Sequence, residues 1–158
     1  MKKTKEFLIK VAATGFGIGY LPFAPGTFGT ILGVPLCLLF KEGGPWLYIV
    51  FTLVFILVSI GISGAAENIF GEHDSRRVVI DEIAGYLVTM IFIPSRLDLF
   101  VIGFIAFRFF DILKPFPVGY IDRRMKGGIG VVLDDVAAGV YANFTLWGYI
   151  LVRGLIER

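Results

Sequence analysis

Long uncharged segments alternate with short polar segments along the whole chain. The uncharged segments cover residues 11–40, 43–66, 83–95, 99–107 and 136–152. Residues 43–66 reach the ~20 apolar residues that a helix needs to cross a bilayer. Gly and Pro interrupt the first segment, and the third and fourth are short for a complete span. Some of these helices are therefore expected to be re-entrant or buried by their neighbours.

This pattern predicts an all-α, polytopic helical membrane protein with about four to five membrane-embedded helices. We expect a single domain over residues 1–158. An amphipathic helix at the membrane interface is predicted over residues 4–14, and an irregular loop over residues 15–27. The predicted membrane helices cover residues 28–40, 46–66, 83–94, 98–108 and 136–152.

The composition agrees with a membrane protein and argues against other classes. Hydrophobic residues make up 56% of the chain and charged residues 18%, whereas soluble domains are usually ~45–50% apolar and ~25% charged. The net charge of +2, without basic runs interleaved with aromatic residues, argues against nucleic acid as a partner. The single cysteine, Cys37, cannot form an intrachain disulfide.

The distribution of basic residues predicts the orientation of the helices. With the N-terminus in the cytoplasm, eleven of the 15 Lys and Arg residues lie inside, as the positive-inside rule favours. The inside residues are Lys2, Lys3, Lys5, Lys10, Arg76, Arg77, Arg108, Lys114, Arg123, Arg124 and Lys126. The remaining four, on the outer side, are Lys41, Arg96, Arg153 and Arg158.

Five acidic side chains stand beside the apolar segments, and this orientation puts all of them on the cytoplasmic side. They are Asp81, Glu82, Asp111, Asp134 and Asp135. A carboxylate at membrane depth is costly unless water, a cation or a metal compensates it, so these residues are candidates for a functional site. Both adjacent pairs are predicted to open a helix, where one acid of each pair could instead cap free N–H groups.

Two basic residues beside the acids indicate an anionic ligand. Arg108, Asp111 and Lys114 are spaced at i, i+3 and i+6, which places them along one side of a helix that Pro115 ends. Alone, they would be typical of a solvated salt-bridge ladder. Beside four further acids, they suggest a Mg²⁺ ligand flanked by phosphate-binding cations, because Mg²⁺ prefers carboxylate and phosphate oxygens.

Glycine-rich segments offer further candidate phosphate contacts. Residues 15–29 could bring backbone N–H groups to a phosphate, and Thr27 and Thr30 could donate hydrogen bonds to it. A loop that re-enters the bilayer and an ordinary helix cap explain the same residues equally well. For residues 127–130, backbone flexibility is the favoured interpretation.

The nucleophiles of common phosphatases are missing from the sequence. Cys37 has no arginine six positions further on, and His73 is the only histidine, so mechanisms that need two histidines are excluded. A single histidine in a loop is more often solvated than catalytic. The remaining route to phosphate-ester hydrolysis is the activation of water by a metal ion.

Four segments of the chain resemble the bacterial phosphatidylglycerophosphatase A family. They are GFGIGYLPFAPGTFG at 15–29, VIDEIAG at 79–85, FRFFDILKPFP at 107–117 and GGIGVVLDDVAAG at 127–139. The resemblance runs in order over nearly the whole chain. It implies an integral enzyme of the bacterial cytoplasmic (inner) membrane that hydrolyses the terminal phosphate of phosphatidylglycerophosphate, depends on Mg²⁺ and yields phosphatidylglycerol.

The residues and the resemblance lead to one hypothesis with a phospholipid of the bilayer as substrate. The five acids would hold one or two Mg²⁺ ions at an active site facing the cytoplasm, and one acid would serve as general base. Arg108 and Lys114 would neutralise the phosphate oxygens. The sequence does not predict an oligomeric state.

Two alternatives remain open at the level of sequence. A CDP-alcohol phosphatidyltransferase is also aspartate-lined and Mg²⁺-dependent, but its Asp-Gly-x-x-Ala-Arg string is absent and residues 134–139 only echo it. A non-enzymatic, cation-coupled membrane carrier would distribute its acids through the membrane, whereas the five acids here gather on one face.

Overall fold

Most residues of the uncharged segments fold as helices, as their length and composition predict. The computed structural model describes residues 2–72 and 74–157, and this part of the chain contains helices and loops but no strand. The helices are α1 (Lys2–Ala13), α2 (Pro25–Lys41), α3 (Pro45–Phe70), α4 (Ile80–Thr89), α5 (Leu97–Leu113), α6 (Val118–Arg124) and α7 (Gly127–Ile156). The all-α prediction is confirmed, while His73 and Arg158 lie outside the described residues.

Two helices of the described chain are long and apolar enough to cross a membrane. They are α3, with 26 residues and a mean hydropathy of 2.5 in its most apolar window, and α7, with 30 residues and a value of 1.3. The shorter α2 is also apolar. Large side chains such as Leu53, Leu57 and Val58 are exposed on α3. An exposed apolar face of this kind is typical of a surface that contacts lipid.

The short helix α4 forms the centre of the fold. All of its residues except Glu82 are buried, and it packs against α2, α3, α5 and α7. Its contact with α7 brings backbone against backbone, because a Cβ atom added at Gly139 would lie 2.3 Å from the carbonyl oxygen of Gly85. A Cβ atom at Gly85 would lie 2.6 Å from the carbonyl oxygen of Asp135. Glycine on both helices therefore allows α4 and α7 to meet.

Helix α4 ends in the interior of the protein, and a side chain of α7 donates hydrogen bonds to carbonyl groups at and after this end. The Nδ2 group of Asn143 donates hydrogen bonds to the carbonyl oxygens of Thr89, at 2.9 Å, and Ile91, at 2.8 Å. Further along, the Lys41 ammonium group donates to the carbonyl oxygen of Ile93. Non-helical backbone is tolerated at membrane depth only where protein or water satisfies its polar groups, and here side chains do so.

Three sequence predictions about helix boundaries are wrong. Helix α4 ends at Thr89, although the apolar pattern predicts a helix to residue 94. Helix α7 begins at Gly127, so residues 127–130 are helical instead of flexible, and Asp134 and Asp135 lie inside the helix instead of opening it. The glycines here serve close packing, because a Cβ atom at Gly128 would lie 2.1 Å from the carbonyl oxygen of Ile60 on α3.

We expect Asn143→Ala to lower the free energy of unfolding, because two buried carbonyl groups would lose their donor. A cost of about 1–3 kcal/mol corresponds to a melting temperature about 2–12 °C lower in a chain of this size. Thermal unfolding in detergent would measure the change. Thr145→Ala is the matched control, because the Thr145 hydroxyl only donates to the carbonyl of Tyr141 in its own helix. Equal melting temperatures for the two variants would contradict the role of Asn143.

Candidate active site

A polar cavity of about 350 Å³ lies at the end of the bundle where α4 begins and α5 ends. It is closed by the start of α2, by the loop that precedes α4 and by the first half of α7. All five acids singled out from the sequence line this cavity, together with both of the predicted phosphate-binding cations. They are Asp81, Glu82, Asp111, Asp134, Asp135, Arg108 and Lys114. Residues from three separate helices therefore meet at one place.

The local structure explains how α4 brings its two acids to the cavity. The chain enters α4 through Val79, whose N–H group donates to the carbonyl oxygen of Ala13 at 2.9 Å. This bond ties the start of α4 to the end of α1. Asp81 and Glu82 then occupy the first turn, where the free N–H groups and the helix dipole favour negative charge. The prediction that this pair opens a helix is confirmed.

Three carboxylates form the tightest part of the cavity. Asp81, Glu82 and Asp135 each offer an oxygen atom, and these oxygens lie within 4.8 Å of one another. The Oδ1 atom of Asp81 also accepts a hydrogen bond of 3.1 Å from the N–H group of Glu82. Among the described residues, Glu82 Oε2 and Asp134 Oδ1 are buried and have no hydrogen-bond partner. Unpaired buried oxygens are costly, so these atoms are available to a ligand.

Two cations balance part of this negative charge. The Arg108 Nη1 group donates to Asp111 Oδ2 at 2.5 Å and lies 3.9 Å from Glu82 Oε1. The Arg108 Nε group is buried and lacks a partner within the described chain. Lys114 Nζ donates to Asp134 Oδ2 at 2.8 Å and to Asp122 Oδ1 at 2.6 Å. The helical spacing that predicted an Arg108–Asp111 contact is thus realised, whereas Lys114 turns to different acids.

Burial and crowding make the carboxylates of α4 harder to ionise. Burial raises the pKa of Asp81 to about 7, against the opposing effect of its hydrogen bond with Glu82. Burial also raises the pKa of Glu82 well above its usual range; the charge of Asp81 adds to this, and Arg108 acts in the opposite direction. Burial alone would lower the pKa of Lys114, but its hydrogen bonds to Asp122 and Asp134 raise it. Asp81 and Glu82 therefore bind a proton more readily than exposed carboxylates do.

Gly26 is a part of the site that sequence reasoning missed. It is buried at the start of α2, and a Cβ atom added there would lie 2.1 Å from Glu82 Oε1 and 3.2 Å from Arg108 Nη1. The position therefore has no room for a side chain. The glycine-rich segment was visible in the sequence, but nothing in it distinguished Gly26 from its neighbours. Residues 74–76 and Asp122 were missed as well, because they lie in polar segments without a helical or paired pattern.

The two threonines proposed from the sequence as phosphate contacts do not line the cavity. Thr30 is fully buried, and its hydroxyl donates to the carbonyl oxygen of Gly26 at 2.9 Å, one turn back in α2. Thr27 is half-buried and is likewise absent from the cavity wall. The structure thus brings together the acids and the two cations but not the threonines.

Comparison with known proteins decides the family. Residues 11–150 match the model of the phosphatidylglycerophosphatase A family. The chain belongs to this family. Phosphatidylglycerophosphatase A of Haemophilus influenzae is 39% identical over 136 residues, which cover 85% of this chain and 83% of the relative. Phosphatidylglycerophosphatase A of Escherichia coli K12 is 35% identical over 137 residues, which cover 85% of this chain and 79% of that one.

A third relative of similar likeness carries a different name. A protein of Bacteroides thetaiotaomicron, provisionally named a phosphatidylinositol-3-phosphatase, is 37% identical over 148 residues, which cover 89% of this chain and 92% of the relative. No solved structure matches the chain. Among these relatives the names share phosphatase activity on a phosphorylated phospholipid and differ in the headgroup.

The cavity of this phosphatidylglycerophosphatase A family member fits a hard divalent cation. Its tightest group consists of carboxylate oxygens only, the ligand type that Mg²⁺ prefers. The buried Oε2 atom of Glu82 has no hydrogen-bond partner among the described residues, so it is available to such an ion. Asp81, Glu82 and Asp135 are therefore the residues best placed to hold the ion.

We expect Gly26→Ala to weaken Mg²⁺ binding without unfolding the protein. The added methyl group would meet the end of the flexible Glu82 side chain, so the carboxylate would move while the helices stay in place. The Kd for Mg²⁺, measured by calorimetry in detergent, should rise about tenfold or more. Gly61→Ala on α3 is the matched control, because a Cβ atom there has no neighbour within 4 Å. Unchanged Mg²⁺ affinity in Gly26→Ala would show that Glu82 is not required at this place.

Proposed function

We propose that this protein hydrolyses the terminal phosphate monoester of phosphatidylglycerophosphate in a Mg²⁺-dependent reaction that yields phosphatidylglycerol and phosphate. The observation that carries the proposal is the meeting of five carboxylates, Arg108 and Lys114 in one cavity of a chain that belongs to the phosphatidylglycerophosphatase A family. Such a cavity offers binding for a cation and for a phosphate at the same point. The two alternative functions, phosphatidyltransferase and cation carrier, would not explain why the chain matches this family.

The dimensions of the long helices support a place in the bacterial cytoplasmic membrane. Along α7, Arg153 lies about 27 Å beyond Asp135 at 1.5 Å per residue, close to the ~30 Å hydrocarbon thickness of a bilayer. At the end of the bundle away from the cavity, Arg153 forms a salt bridge of 2.8 Å with Asp98. This end therefore also carries a layer of polar side chains. We place the acidic cavity at the cytoplasmic surface, with α2, α3, α5 and α7 crossing the bilayer and α4 embedded among them.

The two cations are proposed to receive the phosphate group. The buried Arg108 Nε group lacks a partner in the described chain, so it can donate to a phosphate oxygen without giving up the Arg108–Asp111 ion pair. Lys114 adds a compact positive charge beside Asp134. Guanidinium and ammonium groups suit phosphate oxygens by geometry and by charge, respectively.

A Mg²⁺ ion held by Asp81, Glu82 and Asp135 would neutralise negative charge on the phosphoryl oxygens and favour attack by water. Asp134 lies outside this group of three, and its Oδ1 atom has no partner in the described region. We assign Asp134 Oδ1 as the acceptor of the proton that leaves the attacking water. The water oxygen bonds to phosphorus, the bond to the glycerol oxygen breaks, and that oxygen takes up a proton to become the hydroxyl of phosphatidylglycerol.

A phosphorylated phosphatidylinositol is the second candidate substrate. The name of the Bacteroides thetaiotaomicron relative favours it, and that protein is as similar to this chain as the two named phosphatidylglycerophosphatase A. Both lipids present a terminal phosphate monoester beyond a phosphodiester. The choice between them depends on the surroundings of the cavity and not on the acids.

We expect Asp135→Asn and Asp111→Asn each to lower phosphate release on the order of 100-fold or more, because Asp135 is proposed to hold Mg²⁺ and Asp111 holds Arg108 in place through their ion pair. Both proteins should still insert into the membrane. Asp98→Asn is the matched control, since Asp98 lies at the opposite end of the bundle and pairs with Arg96 and Arg153. Full activity in both Asp135→Asn and Asp111→Asn would refute the site assignment.

Phosphate release from a lipid panel tests the reaction and its metal together. Purified protein should release phosphate from phosphatidylglycerophosphate with Mg²⁺ and lose this activity with EDTA, and Mg²⁺ should restore it. Faster release from a phosphorylated phosphatidylinositol would favour the second candidate. Release of CMP from a CDP-activated lipid, or cation transport in liposomes without phosphate release, would contradict the proposed function.

A further inference from the structure

A second cavity adjoins the acidic one and shares three residues with it. It has a volume of about 370 Å³, and Ala24, Pro25 and Arg76 line both cavities. The remaining wall consists of residues 19–23 on one side and Arg77 on the other. The two cavities together provide space for more than a single phosphate group.

Arg76 lies at the junction of the two cavities, and its positive charge has no partner among the described residues. Its side chain is exposed, and none of the described residues forms a hydrogen bond or salt bridge with its guanidinium group. The neighbouring Arg77 differs, because it lies 3.7 Å from Glu72 and stacks 5.2 Å from the ring centre of Phe70. Of these two arginines, only Arg76 is free to receive an anion.

The walls of the second cavity are suited to a lipid. Gly19 packs directly on the backbone of Arg77, since a Cβ atom at Gly19 would lie 1.9 Å from the Arg77 carbonyl oxygen. This contact holds the loop beside the arginines. The loop exposes Leu21 and Phe23, the latter with 80% of its surface accessible. An apolar rim facing a guanidinium group matches the boundary between the glycerol backbone and the headgroup of a phospholipid.

We propose that Arg76 binds the phosphodiester group of the substrate while the acidic cavity binds the terminal phosphate monoester. The inference rests on the proposed function, and it applies to both candidate lipids because both carry the two phosphate groups. A phosphate monoester has a charge near −2 at neutral pH, so it belongs with Arg108, Lys114 and the cation. The singly charged phosphodiester then meets one guanidinium at the entrance. Arg76 thereby distinguishes a phosphodiester-containing lipid from a simple phosphate ester.

The test separates the two phosphate sites with two inhibitors. Phosphatidylglycerol carries only the phosphodiester, whereas inorganic phosphate can occupy only the monoester site. In detergent micelles, Arg76→Gln should raise KM for phosphatidylglycerophosphate and the inhibition constant of phosphatidylglycerol about tenfold. Neither kcat nor the inhibition constant of inorganic phosphate should change more than about twofold. Arg76→Lys should lie in between, because an ammonium group keeps the charge without the bidentate geometry.

Arg123→Gln is the control for surface charge, because Arg123 is exposed on α6 and lines neither cavity. An equal effect of Arg123→Gln would overturn the assignment of Arg76. So would unchanged KM and unchanged phosphatidylglycerol inhibition in Arg76→Gln, or an equal loss of inhibition by inorganic phosphate. If the unmodified protein releases no phosphate from either lipid, the proposed function itself fails, which the same assay shows before any variant is compared.

Discussion

The close approach of α4 to α7 is the constraint on which the site depends. Gly85 and Gly139 allow backbone to meet backbone, and any larger residue at Gly139 would push against the Gly85 carbonyl at 2.3 Å. This contact fixes the height of α4 relative to α7, so the acids of the first turn of α4 lie beside Asp135.

Bringing these acids together concentrates negative charge in a buried place. The protein compensates part of it with Arg108 and Lys114, each of which contacts more than one acid. Burial still raises the pKa of Asp81, and the buried Oε2 atom of Glu82 has no hydrogen-bond partner among the described residues. Such an arrangement is poor for stability and useful for binding, which is the usual compromise at functional sites.

The sequence predicted which residues belong together better than it predicted where helices begin and end. The five acids and two cations could be found because carboxylates beside apolar segments are rare and costly. The early end of α4 could not, because residues 90–94 are as apolar as the helix, and Asn143, which satisfies the break, is distant in sequence. The role of Gly26 could not be predicted for a similar reason, because its contact with Glu82 exists only in the folded chain.

The arrangement of the site also bears on how such enzymes diverge. Inside the acidic cavity the charged residues depend on one another, and at Gly26 there is no space for a side chain beside Glu82. In the wall of the second cavity, Gly19 is also confined by its contact with the Arg77 backbone, whereas the side chains of residues 20–23 and Arg76 are exposed. The entrance is therefore the place where substitutions can change the contacts to a lipid headgroup with the least disturbance of the acids. Relatives of nearly equal identity carry different substrate names, which agrees with a headgroup preference set outside the acidic cavity.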